Sequence, residues 1–136
     1  MAGLILDSAG TIKMQVLDDA LLLLQRINGL TESYAINAKK GVNSAAIVQN
    51  IRRQLVTLAA NLKSQFGMIS DQVTNVYITS SRGASDAGRV RTLREGMAAI
   101  KQGIEIGMTQ TVAKHAVVKH AKEKPAGDKK PEGAGS

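Results

Sequence analysis

The chain has 136 residues, which is room for one domain, and 43% of them are hydrophobic, as in an ordinary folded protein. It has no cysteine, which excludes disulfides, a thiolate nucleophile and a cysteine-ligated zinc site. Only three residues are aromatic, so the apolar side chains are almost all aliphatic, as is typical of helices packed on helices. The net charge is +7, and residues 114–136 contribute six lysines against three acids.

The first eleven residues precede any helical pattern and are predicted to be an N-terminal extension. They begin Met1-Ala-Gly-Leu-Ile-Leu-Asp7, with no basic residue before a short apolar run, so we do not interpret them as a secretory signal. The densest apolar stretch, Ala20 to Leu24, is far shorter than the roughly 20 residues that a membrane-spanning helix needs. We therefore expect a cytoplasmic protein without membrane contact.

The first predicted helix runs from about residue 12 to residue 40 and is apolar on two faces. Leu17, Leu21 and Leu24 form a second apolar stripe, displaced by roughly 100° from the first on a helical wheel. Such a helix is either buried between two neighbours of the same chain or docks a partner chain on its second face.

Two glycines in this region have the form of helix stop signals. Gly29 is followed by an apolar residue, and Gly41 follows two lysines that would lie in the last turn of a helix. Residues 29–43 are therefore either a separate short helix or the end of a longer one. We favour a helical segment that ends at Gly41.

The second predicted helix, residues 44–79, is the most distinctive part of the sequence. Its repeat alternates three and four positions, with Gln65 and Gln72 at the two positions that are not apolar, and its only interruption is Gly67, which costs about 1 kcal/mol in a helix. At 1.5 Å per residue this helix would be about 50 Å long, a rod suited to packing along other helices or to assembly. The stripe consists of Val48, Ile51, Leu55, Leu58, Leu62, Ile69 and Val76.

The third predicted helix covers residues 85–113 and begins at Ser85 or Asp86, since either side chain can accept the free N–H groups of a helix start. Residues 114–136 are predicted to be a flexible basic tail. From Lys122 onward this tail holds both prolines of the chain and no apolar residue larger than alanine. Such a composition buries too little surface to offset its ordering entropy, so we expect disorder.

No arrangement of residues predicts catalysis or metal binding. Asp18 and Asp19 are the only adjacent acids, but on a helix they point about 100° apart and cannot act as a catalytic pair. His115 and His120 are five residues apart, whereas a metal pair on a helix needs a spacing of four. We therefore expect neither an enzyme nor a protein that holds a metal or cofactor.

A group of basic residues near the third helix could contact phosphate. Within it, Arg91 can pair with Glu95, and Lys101 with Glu105, so part of the positive field would be cancelled locally. Arg52-Arg53 forms a second, smaller basic site. The candidate phosphate contacts are Arg82, Arg89, Arg91, Arg94 and Lys101.

These patterns predict an all-α fold: an elongated, coiled-coil-like bundle of three long antiparallel helices followed by a disordered basic C-terminal tail. Our first hypothesis is a structural or interaction protein that assembles with copies of itself or with a helical protein partner. The alternative is a non-specific nucleic-acid-binding protein that uses the basic residues and the tail. The predicted assembly residues are Leu17, Leu21, Leu24, Val48, Ile51, Leu55, Leu58, Leu62 and Ile69.

Overall fold

A computed structural model describes residues 4–82 and 85–118, and it confirms the all-α prediction. The four helices in that part of the chain are α1 (Ser8–Lys39), α2 (Ala45–Leu62), α3 (Gly67–Ser81) and α4 (Asp86–His115). Two short strands, β1 (Leu4–Leu6) and β2 (Ala116–Val118), flank them. Within residues 4–82 and 85–118, no helix combines the length and the hydropathy that a bilayer crossing demands.

Helix α1 begins earlier than predicted and has no break in its middle. Asp7 is the N-cap, and its Oδ1 accepts a hydrogen bond from the backbone N–H of Gly10 at 2.7 Å. The predicted extension therefore contains a strand and the first turn of α1. The possible helix end at Gly29 is not present, because α1 continues to Lys39. The favoured stop is confirmed, since Gly41 has a φ of 70°, which suits glycine at a helix end.

The predicted helix 44–79 is wrong as a single rod, so the bundle has four helices rather than three. The chain turns back at Lys63–Phe66, and Phe66 has the non-helical angles φ −139° and ψ 66°. The apolar stripe stays in phase across this turn because α2 and α3 both present it to one shared core. Leu62 and Ile69, on either side of the turn, are both buried.

The four helices run up, down, up and down around that core. Helices α1 and α3 each pack against both α2 and α4. At one end, Nζ of Lys13 donates to Oε1 of Gln65, which brings the start of α1 to the α2–α3 turn. At the other end, the hydroxyl of Tyr34 donates to Asp86, which brings the end of α1 to the start of α4. Short connections between antiparallel neighbours are typical of such bundles.

A clasp closes the end of the bundle at which α1 begins and α4 finishes. Strands β1 and β2 pair in antiparallel register, with Leu4 level with Val118. The backbone N–H of Asp7 donates to the carbonyl of His115 at 3.0 Å, and Nδ1 of His115 lies 3.0 Å from Oδ1 of Asp7. Residues 114–118, the first part of the predicted flexible tail, belong to α4 and β2. Residues 119–136 lie outside the described part of the chain.

We expect replacement of Asp7 by alanine to lower the thermal midpoint of unfolding by several degrees, because it removes both the N-cap of α1 and the contact with His115. The Gly10 hydrogen bond, followed by His115, lowers the pKa of Asp7 below its ordinary value of 3.8. The ionised Asp7 carboxylate therefore stabilises the folded state above pH 3.8, and this stabilisation is lost as the pH falls through the lowered pKa.

Thermal unfolding followed by circular dichroism checks this prediction. Asp7→Asn is the matched control, since asparagine caps a helix as well as aspartate does but carries no charge for His115. The thermal midpoint of Asp7→Asn should fall by less than that of Asp7→Ala. An unchanged midpoint in Asp7→Ala at pH 7 would show that the clasp does not stabilise the bundle.

Candidate functional site

The predicted assembly residues lie inside the chain's own bundle. Leu21 and Val48 are half-buried and pack against the core, while the other seven are buried. The two apolar faces of α1 are covered by α2 and α4, as expected for a helix that is buried between two neighbours of the same chain. A partner cannot contact the seven buried side chains while the bundle is closed. The buried seven are Leu17, Leu24, Ile51, Leu55, Leu58, Leu62 and Ile69.

The topology gathers basic residues at one end of the bundle. We call this the basic end and define it as residues 26–54, 74–82 and 85–99, where α1 and α3 finish and α2 and α4 begin. It holds nine lysines and arginines against three acids, whereas the remaining described residues hold four against five. The nine are Arg26, Lys39, Lys40, Arg52, Arg53, Arg82, Arg89, Arg91 and Arg94.

Arg94, one of the predicted phosphate contacts, is paired within the protein. Its Nη2 and Nε donate to the two carboxylate oxygens of Glu32 at 2.6 and 2.9 Å, across the α1–α4 groove. The hydrogen bond from Arg94 lowers the pKa of Glu32. The predicted pairs of Arg91 with Glu95 and of Lys101 with Glu105 are wrong, since neither is among the ion pairs of residues 4–82 and 85–118.

Arg89, a second predicted contact, points inward. Its Nη1 donates to the hydroxyl oxygen of Tyr34 at 3.0 Å, and its Nε donates to the backbone carbonyl of Ser80 at 2.9 Å. Tyr34 has no exposed surface, and its hydroxyl donates to Oδ1 of Asp86 at 2.6 Å. Burial, followed by the hydrogen bond to Asp86, raises the pKa of Tyr34. This network joins α1, α3 and α4 and fixes the framework of the basic end.

Five other arginines of the basic end have no acidic partner among the described residues: Arg26, Arg52, Arg53, Arg82 and Arg91. Arg52 lies over the ring of Tyr77, with its guanidinium carbon 5.2 Å from the ring centroid, and its Nη2 donates to the Tyr77 hydroxyl at 3.3 Å. Arg53 lies beside it, and the two arginines line an open groove of about 320 Å³ with Tyr77.

A second groove lies between the end of α1 and the start of α4. Its volume is about 460 Å³, and Ile36 and Val90 contribute apolar surface to it. Lys39, Arg91 and the Arg94–Glu32 pair also line it. The groove therefore presents cations beside a partly apolar wall, an arrangement that can hold phosphate groups.

The sequence identified part of this surface. Arg82, Arg89, Arg91 and Arg94 do lie together at the basic end, but Lys101 lies on the other half of the bundle. Sequence reasoning missed Lys39 and Lys40, which were interpreted only as helix-ending residues. Their proximity to Arg91 depends on the fold, and no local signal could have revealed it.

The described residues contain no group of three His, Cys, Asp or Glu side chains that could hold a metal ion. In comparisons with protein-family models, curated proteins and solved structures, none matches this chain significantly.

Proposed function

We propose that this protein is a non-enzymatic binding protein that holds nucleic acid, without sequence preference, at its basic end. The observation that carries the proposal is the excess of nine basic over three acidic residues in that half of the bundle. A surface of this kind attracts the phosphate backbone because it neutralises phosphates and releases their counterions. Guanidinium groups also match the geometry of phosphate oxygens.

The proposed contacts are four of the five arginines that have no acidic partner among the described residues: Arg52, Arg53, Arg82 and Arg91. Arg53, Arg82 and Arg91 are exposed, and Arg52 is half-buried against Tyr77. If each neutralises one phosphate of a duplex, the logarithm of the binding constant should fall with the logarithm of salt concentration with a slope of about −4. The tail lysines would add to that slope.

Base-specific recognition is not part of the proposal. Sequence reading needs side chains that reach base edges, and single-stranded binding usually needs several aromatic rings for stacking. At the basic end Tyr34 is buried, and Tyr77 is already in contact with Arg52. The affinity should therefore depend on salt and length rather than on sequence.

The experiment compares two double variants in binding to a random-sequence duplex at low and high salt. Arg53→Glu/Arg91→Glu reverses two exposed charges at the basic end, and Lys63→Glu/Lys101→Glu makes the same change in net charge on the other half. We expect the first to weaken binding at low salt by about tenfold or more, and the second to weaken it much less.

Three outcomes contradict the proposal. The protein could fail to bind the duplex at low salt, or it could bind with no dependence on salt. Equal weakening by the two double variants would mean that net charge alone matters and that the basic end is not a site. Circular dichroism of each variant checks that the bundle remains folded.

The first hypothesis from the sequence, assembly through the apolar stripes, would require the helices to exchange between chains. Leu17, Leu55 and Leu62 have no exposed surface, so they could meet a partner only in an opened bundle. Leu21→Asp tests this idea: a change of mass in solution with the fold intact would favour it, and an unchanged mass would exclude it.

A further inference from the structure

Helix α1 has an unpartnered apolar face on the side away from the core. Leu22 and Ile36 are 63% and 53% exposed on this side, although both are large aliphatic residues. Gly29 lies between them, seven residues from each, which is the heptad spacing of a helix-packing seam. A Cβ atom at Gly29 would have no neighbour within 4 Å, so none of the four described helices packs on α1 at this position.

Charges flank this seam in a symmetric arrangement. Asp18 and Asp19 are exposed on one side of Gly29, and Lys39 and Lys40 are exposed on the other. Asp18 precedes Gly29 by eleven residues and Lys40 follows it by eleven, while Asp19 and Lys39 are each ten residues away. The face is therefore acidic at one end and basic at the other, and Leu22, Gly29 and Ile36 lie between these ends beside the exposed polar residues Gln25 and Ser33.

We infer that a second copy of this chain docks on this face, antiparallel, with the two-fold axis beside Gly29. In that arrangement Leu22 comes level with Ile36 of the second copy. Asp18 and Asp19 come level with Lys39 and Lys40 of the second copy, so opposite charges meet at both ends. A parallel arrangement would instead bring like charges together.

The physical character of this contact follows from its size and composition. The absence of a side chain at Gly29 lets the two helix backbones approach closely at the crossing point. One helix packed on one helix buries a small area, so the dimer should be weak and concentration-dependent. Its charge pairs lie at the exposed rim, so high salt should weaken it further.

The first test measures mass in solution by sedimentation over a range of about 10 µM to 1 mM. We expect the wild-type protein to change from monomer to dimer across this range. Leu22→Asp should raise the dissociation constant about tenfold or more, because it places a charge in the seam. Ile106→Asp is the matched control, since Ile106 is 51% exposed on α4, and it should leave dimerisation unchanged.

The second test examines the antiparallel pairing by charge reversal. Asp18→Lys/Asp19→Lys and Lys39→Glu/Lys40→Glu should each be monomeric alone, because each places like charges together at both ends. An equal mixture of the two variants should form a heterodimer, because opposite charges then meet at both ends again. Neither test uses nucleic acid, so failure of the dimer and failure of the proposed function are separate results.

Each remaining outcome overturns the inference. A wild-type protein that stays monomeric at the highest concentration has no such interface. A dimer that survives Leu22→Asp with its affinity unchanged uses another face. If the mixture of charge-reversed variants stays monomeric, the two copies do not pair in antiparallel register about Gly29.

Discussion

Valine in place of Gly96 is expected to lower the free energy of unfolding by about 2–3 kcal/mol, as is typical of overpacking a closed core. A Cβ atom at Gly96 would lie 2.4 Å from Cγ2 and 2.9 Å from Cγ1 of Val76, which is closer than real contacts allow. Val76 is buried and β-branched, so it cannot rotate away without strain. The replacement would therefore push α3 and α4 apart.

Urea unfolding measures this effect, and two further variants test its cause. Val76→Ala in the Gly96→Val background should recover a large part of the loss, because it removes the two methyl groups that clash. Gly29→Ala should instead gain up to about 1 kcal/mol, since alanine favours a helix over glycine and a Cβ atom at Gly29 would have no neighbour within 4 Å. If Gly96→Val is as stable as the wild type, α3 and α4 do not approach as closely as described.

The second large effect is expected from Tyr34→Phe, which should cost about 1–3 kcal/mol in the free energy of unfolding. The change keeps the ring and its packing but removes a buried hydroxyl. Nη1 of Arg89 then loses the acceptor it reaches at 3.0 Å, and Asp86 loses the donor it reaches at 2.6 Å. The Arg89 side chain is only 22% exposed, so water cannot fully replace its lost acceptor, whereas the Asp86 side chain is 57% exposed and can be hydrated.

The same residue should make stability depend on alkaline pH. Burial and the hydrogen bond to Asp86 raise the pKa of Tyr34 above its ordinary value of 10.0, so the folded state favours the protonated phenol. The protonated phenol of Tyr34 therefore stabilises the folded state below pH 10.0, and this stabilisation is lost as the pH rises through the raised pKa. The stability difference between wild type and Tyr34→Phe should therefore shrink above that pH.

Urea unfolding at a series of pH values from neutral to alkaline checks both statements. Tyr77→Phe is the matched control, since it removes the hydroxyl that Arg52 contacts on a half-buried surface, and it should cost less than Tyr34→Phe. A Tyr34→Phe protein that loses no stability at pH 7, or whose difference from wild type is constant with pH, would contradict the assigned network.

The helices were predictable from the sequence because their signals are local. Apolar residues at three- and four-residue spacing mark the buried faces, and Val90, Leu93 and Ile100 of α4 are buried as that spacing implies. Ser85 was expected as a cap, and its hydroxyl accepts the N–H of Gly88 at 3.1 Å. Periodicity and capping depend only on neighbouring residues, so they can be interpreted without the fold.

The turn between α2 and α3 was not predictable from the stripe. Leu62 and Ile69 are seven residues apart, a spacing that suits an uninterrupted helix, yet the chain reverses direction between them. Two antiparallel helices that face one core produce the same pattern as one long helix. The only local signals were Gly67 and the polar residues before Phe66, and each is also tolerated inside a helix.

The candidate site depended on this same turn. With a single helix from 44 to 79, Arg52 and Arg82 would lie far apart along a long rod, and no local pattern indicates that they are close together. The reversal at Lys63–Phe66 brings the end of α3 back beside the start of α2. The pairing of Arg94 with Glu32, which are 62 residues apart, likewise follows only from the tertiary fold.

The clasp determines how the protein would yield to tension. Because Leu4 is level with Val118 in antiparallel strands, the two ends of the described chain leave the fold side by side. A pull on these ends would load the backbone hydrogen bonds between β1 and β2 one after another, as in unzipping, and would open them at low force. Helices α1 and α4 would then separate from that end first, while the basic end, at the far side of the bundle, would be the last part to lose its shape.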